Sequence, residues 1–110
     1  MSKRTIRDLL KGKEKVYFYL PTDESKKVFA QMAGEEGFIS QSKRNAGLLK
    51  SESIMSIHSD DNTVYFCGAQ ARMIMAAKNV GESILRVDFQ KFIDGAESFT
   101  YKSVETGDIL

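Results

Sequence analysis

The sequence predicts a single α+β domain over residues 1–110, with a mostly antiparallel sheet of about four to five strands and two main helices packed on one face. Three observations lead to this fold class. The length is that of one domain. The hydrophobic content of 42% is sufficient for a packed core. Short β-branched and aromatic runs are separated by two amphipathic stretches, the pattern of helices that cover a sheet.

The chain begins with a short basic helix and a strand. Residues 4–12 predict the helix, because Thr5 is a good capping residue and Gly12 can end it. Residues 15–20 have the sequence KVYFYL, a β-branched and aromatic run that Pro21 terminates. This strand lacks polar alternation, so we expect both of its faces to be covered, or an aromatic side chain to face outward.

A long helix and a long polar loop follow. Thr22 can cap a helix over residues 23–36, whose apolar side chains recur at helical spacing. These side chains are Val28, Phe29 and Met32. Residues 40–53 (SQSKRNAGLLKSES) are polar apart from two leucines, and we expect an exposed loop, a kind of segment that is often functional. The loop carries three basic candidates for partner contact, Lys43, Arg44 and Lys50.

The second half of the chain predicts a hairpin, a helix and another strand. Residues 54–58 and 63–67 flank a turn rich in Asp and Asn, which tolerate the backbone angles of a tight turn. Residues 69–78 form the second main helix. Its expected buried side consists of Met73, Ile74 and Ala77. Residues 83–89 alternate in the manner of a strand.

The composition excludes several classes of protein. A single cysteine, Cys67, rules out an internal disulfide and any zinc site built on paired cysteines. No apolar run reaches the length of a signal-peptide core or a membrane span, so we expect a cytoplasmic protein without membrane contact. The net charge of +1 gives no bulk attraction to nucleic acid, although the amino end is basic and the carboxyl end acidic.

Polar residues at the start of the second main helix form one candidate binding site. Gly68 follows a strand and precedes the helix, where free amides and the helix dipole can attract an anion, and Gln70 and Arg72 can assist. No phosphate-binding glycine motif is present, so a tight corner against the sheet is the structural alternative. Arg86 shares one strand face with Asp88 and is a further candidate for polar contacts.

His58 is the single histidine and lies beside an acidic turn. Together with Asp60 and Asp61 it could supply metal ligands, but a metal site needs three or four convergent ligands, and turn chemistry already explains Asp61. We therefore predict neither a metal nor another cofactor. As a general base, His58 would need a nucleophile and an orienting partner, and the neighbouring Ser56 and Ser59 lie in no recognisable catalytic motif.

Four segments carry a resemblance to a known set of proteins: VYFYLPTDESKKVF, AGEEGFIS, IMSIHSDDNTVYFCGAQARMIMAA and ILRVDFQKFIDGAESFTY. Together they extend from Val16 to Tyr101. In pattern and spacing they resemble small uncharacterised α+β proteins encoded by gut bacteria, plasmids and phages, which have no established activity. The resemblance implies a compact α+β domain from a mobile or accessory genome, and small proteins of mobile elements often act by binding a host protein.

We expect a non-catalytic binding protein, an inhibitor or modulator that contacts a host or phage protein. The small number of potential catalytic residues and the exposed polar loop favour this function. One alternative is a binder of a small ligand, nucleotide or nucleic acid that uses residues 68–72. Another is an enzyme that uses His58 as its base. A homodimer formed through an exposed edge strand is a further alternative.

Overall fold

The computed structural model describes residues 4–41, 43–48, 52–66, 68–77 and 81–101. In chain order, its elements are α1 (Ile6–Leu10), β1 (Lys15–Tyr19), α2 (Asp23–Glu35), β2 (Ile39–Ser40), a 3-10 helix (Ala46–Leu48), β3 (Ile54–His58), β4 (Thr63–Phe66), α3 (Gly68–Ala76), β5 (Ile84–Asp88) and α4 (Phe89–Ile93). The predicted α+β class is confirmed. Among the described residues, no helix combines the length and the apolar character needed to span a membrane.

The five strands of the described residues form one mixed sheet in the order β2-β4-β3-β1-β5. Antiparallel pairs join β1 to β3 and β3 to β4, whereas β1 pairs with β5 and β2 with β4 in parallel. The sheet is therefore mixed, whereas the sequence predicted a mostly antiparallel one. The β3–β4 hairpin has a local turn signal, but each parallel pair joins strands that are distant in the sequence, and no turn specifies their direction.

One face of the sheet carries the main core. β1 directs Val16 and Phe18 to this face, where both are fully buried. The Phe18 ring contacts Phe29 of α2 and Phe89 of α4, with centroids 5.0 and 5.8 Å apart. α1 covers the same core with three buried side chains, Ile6, Leu9 and Leu10. Aromatic contacts at these distances stabilise a core beyond the area that they bury.

The opposite face carries a smaller core under α3. Tyr17 of β1 and Ile54 of β3 are buried there with Met75 of α3. The two main helices thus pack on opposite faces, which differs from the predicted arrangement on one face. Both sides of β1 are apolar, and a strand of this kind needs cover on both faces. Among the α3 side chains whose burial the structure describes, Met75 is fully buried, whereas Met73, predicted to be buried, is 72% exposed.

The predicted amino-terminal helix is observed as α1, and it is fixed to the C-terminal end of α2. The Glu36 carboxylate accepts hydrogen bonds from the amides of Ile6 and Arg7, both at 2.9 Å. The Arg7 guanidinium donates to the Glu36 carbonyl and lies 4.4 Å from the centroid of the Phe38 ring. Because a carboxylate stabilises the positive start of a helix, Glu36 supports a helix of five residues.

Candidate functional site

Residues 43–48, which we call the 43–48 turn, form the first candidate surface. The sequence predicted an exposed loop over residues 40–53, but Ala46 is fully buried. Its amide donates to the carbonyl of Phe38 at 3.0 Å, and it begins the short 3-10 helix. The described part of this segment is therefore held on the domain, because burial of one alanine and its amide draws the surrounding residues against the body.

Two glycines allow the 43–48 turn to approach α2 closely. A Cβ atom on Gly34 would lie 2.6 Å from the Gly47 nitrogen, a distance that real Cβ atoms avoid. Asn45 bridges the two backbones. Its Nδ2 donates to the Gly34 carbonyl at 3.2 Å, and its Oδ1 accepts from the Gly47 amide at 2.8 Å. Hydrogen bonds and direct backbone contact thus fix the position of the turn on the helix.

The 43–48 turn presents two cations and one apolar side chain to solvent. Lys43 and Arg44 are exposed, and Lys43 has a φ of 69°, in the left-handed region. Leu48 is 77% exposed although it belongs to the packed 3-10 helix. Lys50, the third basic residue predicted for this surface, lies outside the described residues. An apolar side chain with polar neighbours matches the apolar centre and polar rim of a protein contact surface.

The turn between β3 and β4 forms the second candidate surface, and Tyr65 organises it. The centroids of the His58 and Tyr65 rings lie 4.2 Å apart. The Tyr65 hydroxyl donates to Asp61 at 2.5 Å, and the Thr63 amide donates to the other oxygen of that carboxylate at 3.1 Å. The hydrogen bond from Tyr65, followed by that from Thr63, holds the pKa of Asp61 below its usual range. The same contact raises the pKa of Tyr65.

Three side chains of this second surface bring potential ligand atoms together. One atom each of His58, Asp60 and Asp61 lies within 4.8 Å of the other two. Adjacent positions in the chain do not by themselves produce such convergence, since neighbouring side chains of a strand point to opposite faces. The turn at the end of β3 produces it here, because the chain reverses direction between His58 and Thr63.

An open pocket of about 280 Å³ lies between the two surfaces. Its lining comes from β2, from the residues that follow it and from the hairpin: Ile39, Ser40, Gln41, Lys43, Asp61, Thr63 and Tyr65. Lys43 belongs to the 43–48 turn and Asp61 to the hairpin, so the pocket borders both surfaces. Its lining contains both signs of charge, which suits a polar side chain of a partner.

Arg86 has a structural position at the C-terminal end of α3. Its guanidinium donates at 2.5–3.2 Å to three carbonyls, those of Ile74, Met75 and Ala77. Carbonyls at a helix end have no partner within the helix, so Arg86 supplies one. Asp88 caps the start of α4 with its side chain. Neither residue lines the pocket described above, so the structure does not place them beside the 43–48 turn.

The predicted anion site lies at the start of α3, which begins at Gly68, one residue before the predicted start at Ala69. The backbone places Gly68 and Gln70 in the first turn of that helix, and Arg72 follows as an exposed residue. Cys67, the preceding residue, lies outside the described residues. Anion binding at this helix start stays a prediction.

The structure groups the predicted site residues into separate places. Lys43 and Arg44 share the 43–48 turn, and His58 packs on Tyr65, which lines the pocket. Sequence reasoning missed Leu48 and the bridging role of Asn45. A signal for Asn45 was available, because Asn followed two positions later by glycine favours a turn closed by the side chain. No comparable signal marks Leu48, whose exposure depends on how the turn packs.

Comparisons of the chain with protein-family models, with curated proteins and with solved structures find no match. Function is therefore inferred from the geometry and the chemistry of the two surfaces.

Proposed function

We propose that this protein is a non-catalytic binding protein that acts through protein–protein contact, as an inhibitor or modulator of its partner. The 43–48 turn is the proposed contact surface. One observation supports this function most directly: Leu48 is 77% exposed on a turn that hydrogen bonds fix to α2. Burial of a leucine side chain by a partner would contribute about 1.5–3 kcal/mol to the binding free energy.

The fixed conformation of the turn favours binding. A flexible loop loses conformational freedom when a partner immobilises it, and this loss reduces the affinity. In the free protein, Asn45 and the close contact between Gly34 and Gly47 already immobilise the 43–48 turn. A larger share of the contact energy therefore appears as affinity.

The basic side chains indicate the chemistry of the partner surface. Lys43 and Arg44 are exposed on the same turn as Leu48. Cations beside an apolar side chain fit an acidic surface that surrounds an apolar recess. Salt screens the attraction between exposed charges, so we expect association to slow as the ionic strength rises.

We infer that the partner is a cytoplasmic protein of a bacterial host or of a phage. The support is the resemblance of residues 16–101 to small uncharacterised proteins of mobile genomes. Small proteins of mobile elements in general often bind a host protein. A second copy of this chain and a nucleic acid are the alternative partners, and the experiment below distinguishes them.

Affinity enrichment from lysate of the producing cells tests the proposal. Wild-type protein is compared with Leu48→Ser and with Arg44→Glu. Matched controls are Met73→Ser and Lys27→Glu, which likewise replace an apolar side chain and a cation at exposed positions of α3 and α2. We expect the wild type and both controls to retain one protein in stoichiometric amount. The two turn variants should retain at least ~10-fold less, which corresponds to a loss of about 1.4 kcal/mol.

The outcomes distinguish binding through a specific surface from nonspecific adsorption. Each substituted side chain is exposed, so circular dichroism should show an unchanged fold for every variant. Equal loss in the control variants, or no stoichiometric protein retained by the wild type, would contradict the proposal. Recovery of the chain itself would identify a homodimer, and recovery of nucleic acid that falls with salt would favour the nucleic-acid alternative.

A further inference from the structure

We propose that His58, Asp60 and Asp61 bind a divalent transition-metal ion, for which Zn²⁺ is the test probe. The site uses the turn between β3 and β4 and so goes beyond the contact function proposed for the 43–48 turn. It also revises the expectation from the sequence that the protein holds no metal. That expectation depended on the need for three convergent ligands, and the structure brings three ligand atoms together.

The spacing of the ligand atoms is close to what a metal requires. One atom of each residue lies within 4.8 Å of the other two. Zinc bonds of about 2.0–2.2 Å place tetrahedral ligand atoms about 3.4 Å from one another. The atoms therefore need to approach by at most about 1.4 Å, a change that a small rotation of exposed side chains provides. Asp60 is exposed, so its rotation toward the other two ligands meets no packed core.

Tyr65 holds two of the three ligands in place. Its ring packs on the His58 ring, and its hydroxyl donates to Asp61. The Thr63 amide holds the second oxygen of Asp61, yet each carboxylate oxygen can accept more than one bond and keeps lone pairs for a metal. Removal of a group that orients a metal ligand in this way commonly lowers metal affinity by about 10–100-fold.

The donor set indicates the class of metal. An imidazole nitrogen with two carboxylates suits zinc and neighbouring transition metals, whereas magnesium and calcium prefer oxygen ligands alone. Three protein ligands leave one position of a four-coordinate ion for water or for a side chain of a partner.

Zinc titration of tag-free protein tests the site, and the single histidine makes the assignment direct. All imidazole signals in a proton NMR spectrum belong to His58. A Cys67→Ser background is used, because a thiol is itself a zinc ligand. We expect calorimetry with zinc chloride to give one ion per chain and the His58 signals to shift with the fraction bound. Magnesium chloride at the same concentration should cause no shift.

Carboxylate variants identify the other ligands. We expect Asp60→Asn and Asp61→Asn each to weaken zinc binding by at least ~10-fold, since an amide is a poor substitute for an ionised ligand. Asp23→Asn, at an exposed position of α2, is the matched control and should bind as the parent does. Tyr65→Phe keeps the ring and removes the hydroxyl, so a loss of about 10-fold is expected from weaker orientation of Asp61.

Several results would overturn the proposal. A titration in which zinc chloride causes neither binding heat nor a shift of the His58 signals would contradict the site. Full zinc affinity in both carboxylate variants, or an equal shift of the His58 signals with magnesium, would contradict it as well. Circular dichroism checks that each variant is folded. The NMR titration needs no substitution at the site, so it decides the question even if a variant fails to fold.

Discussion

Gly34 is the residue on which the position of the 43–48 turn depends most. Helix propensity alone would make Gly34→Ala stabilising, because alanine is favoured over glycine by about 1 kcal/mol. Contact with Gly47 acts in the opposite direction, since the added Cβ would lie 2.6 Å from a backbone nitrogen, which cannot rotate away. Overpacking of this kind costs about 1–3 kcal/mol, so the contact is expected to outweigh the propensity.

We predict that Gly34→Ala lowers the free energy of unfolding by up to about 2 kcal/mol, the overpacking cost less the gain in helix propensity, and loosens the 43–48 turn. Urea denaturation measures the first effect, and exchange of the Ala46 amide measures the second. Gln31→Ala, at an exposed position of α2, is the control and should change stability by less than about 0.5 kcal/mol. A Gly34→Ala protein more stable than the wild type would show that the backbones do not approach so closely.

Ionisation of Tyr101 is expected to lower the stability of the fold at alkaline pH. Burial is the main reason that its pKa is raised, and the nearby Tyr19 adds to the effect. The two rings lie 5.2 Å apart, centroid to centroid. A group whose pKa is higher in the folded than in the unfolded state stabilises the fold below its unfolded pKa. That contribution is lost as the pH rises through the folded pKa.

We therefore expect Tyr101 to ionise above the ordinary tyrosine value of 10.0 in the folded protein. Ultraviolet titration of phenolate absorbance, wild type minus Tyr101→Phe, isolates this group from the other three tyrosines. The wild type should also lose more stability than Tyr101→Phe as the pH rises past this value. A difference curve with its midpoint at or below that of free tyrosine would show that partial burial does not raise the pKa of Tyr101.

At the scale of elements, one side chain of β5 holds the C-terminal end of α3. Arg86 donates to three carbonyls of that end. Hydrogen bonds from a charged donor contribute about 1.5–3 kcal/mol, and half-buried carbonyls without a partner add a cost of their own. The second face of the sheet therefore depends on Arg86 for the position of its covering helix.

We predict that Arg86→Met lowers the free energy of unfolding by about 1.5–3 kcal/mol. The free energy of unfolding of Arg86→Lys should lie between those of Arg86→Met and the wild type. Chemical denaturation gives the total, and amide exchange should show α3 opening first. Lys91→Met, at an exposed position of α4, is the control for loss of a cation. Equal stability of Arg86→Met and the control would mean that α3 does not need this contact.

Local patterns predicted the elements better than their arrangement. Thr5 and Thr22 cap α1 and α2, as their positions indicated, because a capping side chain acts within three residues of itself. The hairpin of β3 and β4 is confirmed for the same local reason. The parallel partners of β1 and β4, and the face that α3 covers, depend on contacts between distant segments, which no local pattern encodes.

The junction between β5 and α4 shows how one signal can hide another. Alternating side chains predicted a strand through Phe89, but the strand ends at Asp88, whose side chain accepts from the Lys91 amide and caps α4. Aspartate is a preferred capping residue, so the signal was present in the sequence. The alternation of side chains through Phe89 led to the prediction of a longer strand in spite of this capping signal. Phe89 is fully buried, and a buried phenylalanine fits the first turn of a helix as well as it fits a strand.

The candidate contact surface was predicted in part. The exposed cations Lys43 and Arg44 were expected from composition, and the structure exposes both. The fixed position of the turn was not expected, because Gly34 and Gly47 have no recognisable role until the two backbones meet. Glycine in a helix and glycine in a loop each have a common local explanation, so neither indicated the contact.

At the scale of the whole molecule, contacts between the two halves of the chain use part of the basic amino end. Arg4 donates to the carbonyls of Phe92 and Ala96 at 2.9 and 2.8 Å. Its guanidinium also lies 5.5 Å from the Phe92 centroid and 5.2 Å from that of Phe99. Arg7 is bound to Glu36 in a similar way. These cations serve the fold, which favours the 43–48 turn over the amino end as the basic contact surface.

The 43–48 turn can act as a contact surface of fixed shape only if it is held on α2 in the free protein. Amide hydrogen exchange of the protein alone measures this most directly. We predict that the Ala46 amide exchanges as slowly as Phe29 in the middle of α2, because it is buried and bonded to Phe38, and that Gly47 exchanges more slowly than a free peptide. Exchange of Ala46 and Gly47 at free-peptide rates, while Phe29 stays protected, would contradict a fixed turn.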